Sequence, residues 1–404
     1  MDTKSVGNII AVIRKKHNMT QLDLARQLNV SDKTVSKWEI GQGYPDITVF
    51  PKLASLFGVS IDYLMLGEKK GIAVAGSIIA DVVKNIDVYP QVGMMSYVSE
   101  INKAVGGCVP NVSINLAKID GSIPISAYGK IGADDNGTYI VSQLLRYGIS
   151  IDGISLSSKT STSFCDVMSM PSGERTFFHK KGANAEFSPQ DIDIRSLNCR
   201  IFHIGYLLLL DMFEMPEKKY GTLMAKFLHD LQKCGIKTSI DVVSDSVADY
   251  GEKIKPVLKY CDYAIMNETE CCRIFDYDAF SFDGQLNTDT VKKAMYDMAE
   301  CGVKEKIIVH SRRISFLLDV KSGEFVCASS IEIPEAAIKG RVGAGDAFCA
   351  GCLYGLYNDF GNSQILDFAS AAAACSLFSA NSVGGMQSKK AIIELAQKYG
   401  RLLL

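Results

Sequence analysis

The chain has 404 residues, of which 47% are apolar and 22% charged, with a formal net charge of −2. This balance excludes long disorder, and the length exceeds one ordinary core, so at least two folded domains are expected. Residues 1–70 carry ten Lys and Arg against seven Asp and Glu, a net of +3, while the remainder nets −5, a split that suits a front facing nucleic acid and a neutral back.

Apolar residues recur at helical spacing from Val6 to His17 (Val6, Ile9, Ile10, Ile13), and Arg14, Lys15 and Lys16 close the run, which predicts a first helix. Thr20 stands where an N-cap belongs, with Asp23 three residues on. Leu22, Leu24, Ala25 and Leu28 then supply the buried face of a second helix ending near Asn29. Ser31 caps a third, whose Val35 and Trp38 point inward. Two helices joined by so short a turn form a helix-turn-helix.

The stretch "TQLDLARQLNVSDKTVSKWEIGQGYPD" resembles the phage-repressor (Cro-like, xenobiotic-response-element) family over about residues 5–66, including Trp38-Glu39, Gly41 and the Pro45-Asp46 that opens the next helix. The resemblance implies that Gln21 holds a DNA phosphate. It also implies that Asp32, Lys33, Thr34 and Lys37 reach base edges or phosphates of a double-stranded DNA operator. A protein-binding module would expose the same helix face. Since one copy seldom holds a half-site tightly, the DNA reading carries a homodimer on a two-fold operator.

The short charged stretch "MLGEKKG" (Met65–Gly71) marks the seam, giving a helix-turn-helix domain at 1–66, a linker at 67–71 and a second domain at 72–404. "GIAVAGSIIADVV" has the small, apolar character of a buried central strand that ends in a Gly-Ser turn with Asp81 just past it. "PISAYGKIG", "IFHIGY", "KTSIDVV", "YAIMN" and "KIIVH" repeat the theme, with helical stretches such as Lys218–Lys233 and Thr290–Cys301 between them. Such alternation predicts an α/β fold with a doubly wound, mostly parallel sheet that binds ligands at its C-terminal strand ends. Around "DVYPQVGMMSYVSEINKAVGG" and "TSFCDVMSMPSGERTFFHKKGAN" the period becomes two, with Ser172-Gly173 a plausible hairpin tip, so short antiparallel strands forming a small β lid are expected.

The longest apolar run, Ile201–Phe213, contains His203 and Asp211 and falls short of the ~20 residues of a bilayer span. The opening residues lack the order of a secretory signal, so a cytoplasmic protein with mostly free thiols is expected from its twelve cysteines. Cys349 and Cys352 form a CxxC that could be a redox or metal pair. Lying in "AFCAGCLYGLY", a buried-helix pattern, they read as small packing residues.

"KGRVGAGDAFCAG" (Lys339–Gly351) places Gly343 and Gly345 around Ala344 at the head of a helix running from about Asp346 to Tyr357. Converging amides and the positive helix end make a cradle for an anion such as a transferring phosphoryl group. An aspartate beside an anion site is repulsive unless it serves as a base for an attacking hydroxyl. The loop alone also allows Asp346 to be a helix cap in a tight turn.

Residues 71–404 resemble the ribokinase-like (PfkB) carbohydrate kinases through ordered motifs: "GSIIAD", "GGCVPN", "GERT" with "GAN", "NETE" and "GAGD". The resemblance implies Asp81 on sugar hydroxyls, Gly106, Gly107 and Asn111 as substrate contacts, and Asn267 with Glu270 organising Mg²⁺ and its waters near ATP phosphates. It implies Gly343, Ala344 and Gly345 as the anion hole and Asp346 as the base. Gly340-Arg341 stand where the family usually has Asp-Thr, which puts a monovalent-cation site in doubt, and Arg341 either touches phosphate or faces solvent. "IIVHSRRISF" replaces the usual nucleotide loop, and Cys108 stands where a lysine is common. The reading is therefore an ATP-dependent kinase acting on a primary hydroxyl of a small sugar or nucleoside, fused to a DNA-binding domain and able to regulate its own gene. The alternative is a transcriptional regulator whose kinase-like domain is a sugar sensor.

Overall fold

The computed structural model describes residues 3–59, 61–67, 69–171, 174–244 and 249–403, and the chain divides into two compact units, residues 1–70 and 71–404. In the first, α1 (Thr3–Lys16), α2 (Gln21–Leu28) and α3 (Asp32–Glu39) form as expected, followed by α4 (Phe50–Phe57) and α5 (Ile61–Leu66). Thr20 closes a capping box with Asp23, Asn29 takes the left-handed conformation that ends α2, and the Ser31 hydroxyl accepts from the Thr34 amide. These local bonds fix the turn between α2 and α3. Leu24, Ala25, Leu28, Val35 and Trp38 bury against Val6, Ile10 and Ile13. Leu22 does not join them and is 47% exposed, because at 3.6 residues per turn it lies about 110° from the centre of the Leu24-Ala25-Leu28 stripe. A Cβ on Gly7 would stand 1.9 Å from the Trp38 carbonyl oxygen, so glycine permits this close crossing of α1 over α3. Asp46 does not open α4 directly. Its Oδ1 accepts from the Thr48 amide (2.9 Å) and hydroxyl (2.6 Å), and the helix starts at Phe50.

The second unit begins with β1 (Ile72–Gly76), then the hairpin β2 (Ile79–Ile86) and β3 (Val98–Gly106), then α6 (Cys108–Ile119). Next come β4 (Ile125–Gly132), α7 (Asp135–Arg146), β5 (Ser150–Ser157), a second hairpin of β6 (Phe164–Ser169) and β7 (Arg175–Lys180), and β8 (Ile201–Leu207). A two-residue ladder, β9 (Pro216–Glu217) with β10 (Gly221–Thr222), precedes α8 (Leu223–Lys233). Helix therefore begins five residues later than the sequence suggested, at a Thr222 cap. Then follow β11 (Lys237–Val242), α9 (Tyr250–Leu258), β12 (Tyr263–Asn267), α10 (Glu268–Arg273), α11 (Thr288–Glu300), and β13 (Lys306–His310), β14 (Ile314–Asp319) and β15 (Phe325–Ser329). The chain closes with α12 (Ala344–Tyr357), α13 (Asn362–Ser376) and α14 (Lys389–Lys398).

Nine strands make one sheet in the order β15-β14-β13-β12-β11-β8-β1-β4-β5. It is parallel from β13 to β5 and antiparallel at β13-β14-β15. One apolar cluster joins its first face to α6, α12 and α13, and another joins the opposite face to α8, α9 and α11. Burial on both faces is why strands such as β1 are apolar throughout.

A separate four-stranded sheet has the order β3-β2-β6-β7. Its two hairpins are antiparallel as expected, but β2 and β6, which join them, run parallel. Asp81 lies inside β2 and not in a turn beyond β1. A hairpin tip at Ser172-Gly173 lies outside the described residues.

Candidate active site

Gly343 is the N-cap of α12, with φ +80, and a Cβ there would strike Ser382 at 2.5 Å. Glycine is required on both counts. The helix starts at Ala344, two residues earlier than the sequence suggested, so Gly345 and Asp346 lie within its first turn. Amides at that end lack a preceding helical turn to bond and carry its partial positive charge.

Asp346 is 7% exposed. Its Oδ2 accepts from Asn111 Nδ2 at 2.9 Å, and the Tyr206 hydroxyl lies 3.1 Å from both carboxylate oxygens. Burial pushes this carboxyl up to about 7, and the Asp241 charge adds to the rise, against the Asn111 and Tyr206 bonds. Asp346 lines a cavity of about 280 Å³ together with Tyr206, Asp241, Asn267, Glu270, His310, Arg341 and Gly343 to Gly345. A second cavity of about 250 Å³, lined by Ser311, Arg312, Ser330 and Phe348, shares His310, Arg341, Ala344 and Gly345 with the first.

The expected substrate residues sit at the mouth of α6. Gly107 caps that helix at φ +83, where a Cβ would meet the Ser77 carbonyl oxygen at 2.5 Å. A Cβ on Gly106 would meet Asp81 Oδ2 at 2.4 Å, so the two glycines let the end of β3 and the start of α6 pack closely on Asp81 and Ser77. Burial pushes Asp81 up to about 6, opposed by Arg175, and the Asp81 charge is felt at Asp346. Asn111 connects this group to the anion loop. Its Nδ2 is spent on Asp346, while its buried Oδ1 has no hydrogen-bond partner among the described residues, leaving an acceptor for a ligand hydroxyl.

Asn267 and Glu270 form a capping box at the head of α10: Asn267 Oδ1 accepts from the Glu270 amide (2.8 Å), and Glu270 Oε2 from the Asn267 amide (3.0 Å). Glu270 Oε1 accepts from Ser244 (2.8 Å) and Asn267 Nδ2 (2.7 Å). Burial pushes Glu270 up to about 8, with Asp241 and Glu268 adding to the rise. Three carboxylates, Asp241, Glu270 and Asp346, thus face a cavity to which, among the described residues, only Arg341 contributes a fixed positive charge, and Arg341 is forked onto Glu335 (2.7 and 2.9 Å). The Asn267–Glu270 pair fits a hard divalent cation held partly through water, which would bring Glu270 back toward its charged form.

In the first unit Asp32, Lys33 and Lys37 are exposed on α3. Asp32 caps the Lys33 amide, and Thr34 Oγ1 lies 2.7 Å from Ser31 Oγ. Gln21 is turned inward, its Nε2 donating to Glu39 Oε2 at 2.7 Å. Glu39 also receives Arg14 Nε and Nη2 at 2.6 and 2.9 Å.

Sequence reasoning missed Tyr206, Asp241 and His310. Each stands at or just beyond the C-terminal end of a central strand, where ligands collect in such sheets. Tyr206 adopts φ +58, a conformation that costs a non-glycine residue. Burial holds His310 down at about 4, its ring packed on Phe348.

Residues 69–389 match the family described as pfkB family carbohydrate kinase, and residues 10–64 match a helix-turn-helix family. The chain is 44% identical over 57 residues to the HTH-type transcriptional activator BcrR of Enterococcus faecalis, covering 14% of this chain and 28% of that protein. It is 24% identical over 329 residues to ribokinase of Arabidopsis thaliana, covering 80% of each. The solved structure of that ribokinase, complexed with ribose and ATP, superposes with a TM-score of 0.65 at 20% identity over 81% of this chain and 99% of the other. The chain therefore belongs to the pfkB family of carbohydrate kinases and carries, ahead of its ribokinase-like sugar kinase domain, a helix-turn-helix DNA-binding domain of the kind found in transcriptional regulators.

Proposed function

We propose that the second domain transfers the γ-phosphoryl group of ATP to a primary hydroxyl of a small sugar or nucleoside, and that the front domain binds a specific operator, making the chain an autoregulator. The observation that carries the reading is Asp346: a carboxylate poised at about 7, facing a cavity and backed by the amides at the head of α12. A base acts best when its pKa lies near the working pH.

Asp346 accepts the proton of the attacking hydroxyl, whose oxygen bonds to phosphorus as the bridging bond to ADP breaks. The amides of Gly343, Ala344 and Gly345 face the phosphoryl oxygens as their charge develops, and Arg341 stands at the rim shared by the two cavities. Asn111 Oδ1 and Asp81 receive substrate hydroxyls, while Asn111 Nδ2 orients the base. Asn267 and Glu270 would hold Mg²⁺, partly through water, and the ion would supply neutralisation of the phosphate charge. The ribose and ATP of the Arabidopsis ribokinase structure support the substrate class and the donor.

Lys33 and Lys37, with Asp32 and Thr34, are the residues we assign to DNA, and Gln21 to a nearby phosphate once its bond to Glu39 is exchanged. The homodimer we assign to the lid, where Val92, Met94, Met95, Tyr97 and Ile101 are exposed on β3 and the segment before it. No described helix is long and apolar enough to cross a membrane, and both ATP and an operator suit work in the cytoplasm.

The test is ADP release by the full-length protein with ATP, Mg²⁺ and a panel of pentoses, hexoses and nucleosides. Turnover on a subset of the panel is expected. No turnover, together with a thermal shift from sugar alone and none from nucleotide, would establish the sensor reading instead.

A further inference from the structure

Beneath the first cavity, side chains from four elements converge: Cys108 at the start of α6, His203 on β8, Asp241 on β11 and Cys349 on α12. The donor atoms of Cys108, His203 and Asp241 all lie within 4.8 Å of one another. His203 Nε2 stands 3.2 Å from Asp241 Oδ2 and 3.6 Å from Cys349 Sγ. All four residues are more than nine-tenths buried. Core thiols usually pack among alkyl groups as small hydrophobes, whereas these two flank an imidazole and a carboxylate. Around tetrahedral zinc, with bonds of about 2.0–2.3 Å, neighbouring donors lie about 3.2–3.8 Å apart. His203 keeps that spacing from both Asp241 and Cys349, while Cys349 Sγ stands outside the group of donors that lie within 4.8 Å of one another and would close in on the ion as its fourth ligand.

We propose that Cys108, His203, Asp241 and Cys349 form a buried transition-metal site, with zinc the ion its donors suit best. Thiolate and imidazole donors disfavour Mg²⁺ and select borderline-soft ions, which separates this site from the one at Asn267 and Glu270. Two neighbours are disposed for it. Ser239 Oγ lies 3.0 Å from His203 Nδ1, placed to accept the ring proton when Nε2 binds metal, as outer-shell partners of ligating histidines do. Gly205 is the other: a Cβ there would stand 2.1 Å from Cys108 Sγ and 2.7 and 2.8 Å from the Asp241 oxygens. Its missing side chain keeps the donors open to one another. The site also adjoins the proposed base, since Asp241 Oδ1 accepts from the Tyr206 amide and the Tyr206 hydroxyl donates to Asp346.

Metal-stripped full-length protein titrated with Co²⁺, a spectroscopic stand-in for zinc, tests this. A thiolate-to-cobalt charge-transfer band with strong tetrahedral d–d absorption is expected, saturating at stoichiometric metal and erased by Zn²⁺. Cys108→Ser and Cys349→Ser should each diminish the band and loosen Co²⁺ about tenfold or more. Cys352→Ser, buried on the same helix but outside the cluster, should change neither. Circular dichroism confirms folding of each variant, and if one serine variant does not fold, the other and the wild-type titration decide. Folded wild-type protein without a thiolate band, or a band undiminished in the folded serine variants, overturns the proposal.

Discussion

Two buried carboxylates, one in each domain, have opposite surroundings. Glu39 is raised by burial, but the Arg14 fork and the Gln21 amide outweigh this and hold it below the usual carboxylate range. Asp346 is more deeply buried, its hydrogen bonds come from neutral groups and its charged neighbours are acids, so burial wins and it rises to about 7. The first is a structural charge, paired within its own domain. The second is an acid with no cation beside it, at the edge of a cavity. The difference teaches where function sits: the helical domain satisfies its buried charge internally, whereas the kinase domain leaves three carboxylates around a cavity for ligands to satisfy.

The largest effect should come from removing the second kind. Asp346→Asn should lower kcat by about 10²–10⁴, read by ADP release, and parent kcat/KM should decline as pH falls below about 7. The same substitution should also stabilise. The folded value near 7 exceeds the ordinary 3.8, so the stability this group contributes is complete below about pH 4 and lost as pH rises through about 7. At pH 8 the Asn variant should therefore melt at a higher temperature than the parent, and the gain should vanish toward pH 4. A lower Tm at pH 8 would make Asp346 a paired structural acid like Glu39 and remove the contrast.

Breaking the first kind should act in the opposite direction. Arg14→Ala leaves Glu39 buried without its cation, the two side chains being 9% and 7% exposed, and should cost the front domain about 3 kcal/mol. Because the folded value of Glu39 is depressed, its stabilisation is present above the unfolded carboxylate pKa and lost as pH falls through the folded one, so the penalty should shrink in acid. Thermal melts of the full chain followed by far-ultraviolet circular dichroism check this. ADP release should persist, since none of the kinase residues depends on this pair.

Much of this contrast was legible in the sequence where the signal is local. The cap at Thr20 with Asp23 needs only residues three apart, and the glycines around Ala344 mark the tight turn at the head of α12. The α/β alternation and the helix-turn-helix were legible for the same reason. What was not legible depends on contacts made across the fold. Asn111 reaches Asp346 over 235 residues, and no pattern in "GGCVPN" says that its amide bonds this carboxylate. Tyr206, Asp241 and His203 became neighbours only once β8 and β11 paired. The parallel pairing of β2 with β6 was hidden because period-two alternation shows that strands form and not which strand each one meets. Leu22 was misplaced by counting apolar residues without their angle around the helix.

The smallest effect lies in charges that are neither buried nor paired inward. Lys33 and Lys37 are exposed on α3, so replacing both with Ala should leave the stability within about 0.5 kcal/mol of the parent. If α3 meets DNA, each lysine lost removes a phosphate contact and its released counterion, and the slope of log K against log salt should fall by about 2 for the pair. Gln21→Ala distinguishes a second route. The Gln21 amide braces Glu39 and carries no charge, so its loss should weaken binding without altering the slope, and should also lower the melting temperature slightly. A double-lysine variant with an unchanged slope would move the DNA contact to another face and leave α3 as a solvated helix, because an exposed ammonium that releases no counterion is not touching the backbone of the duplex.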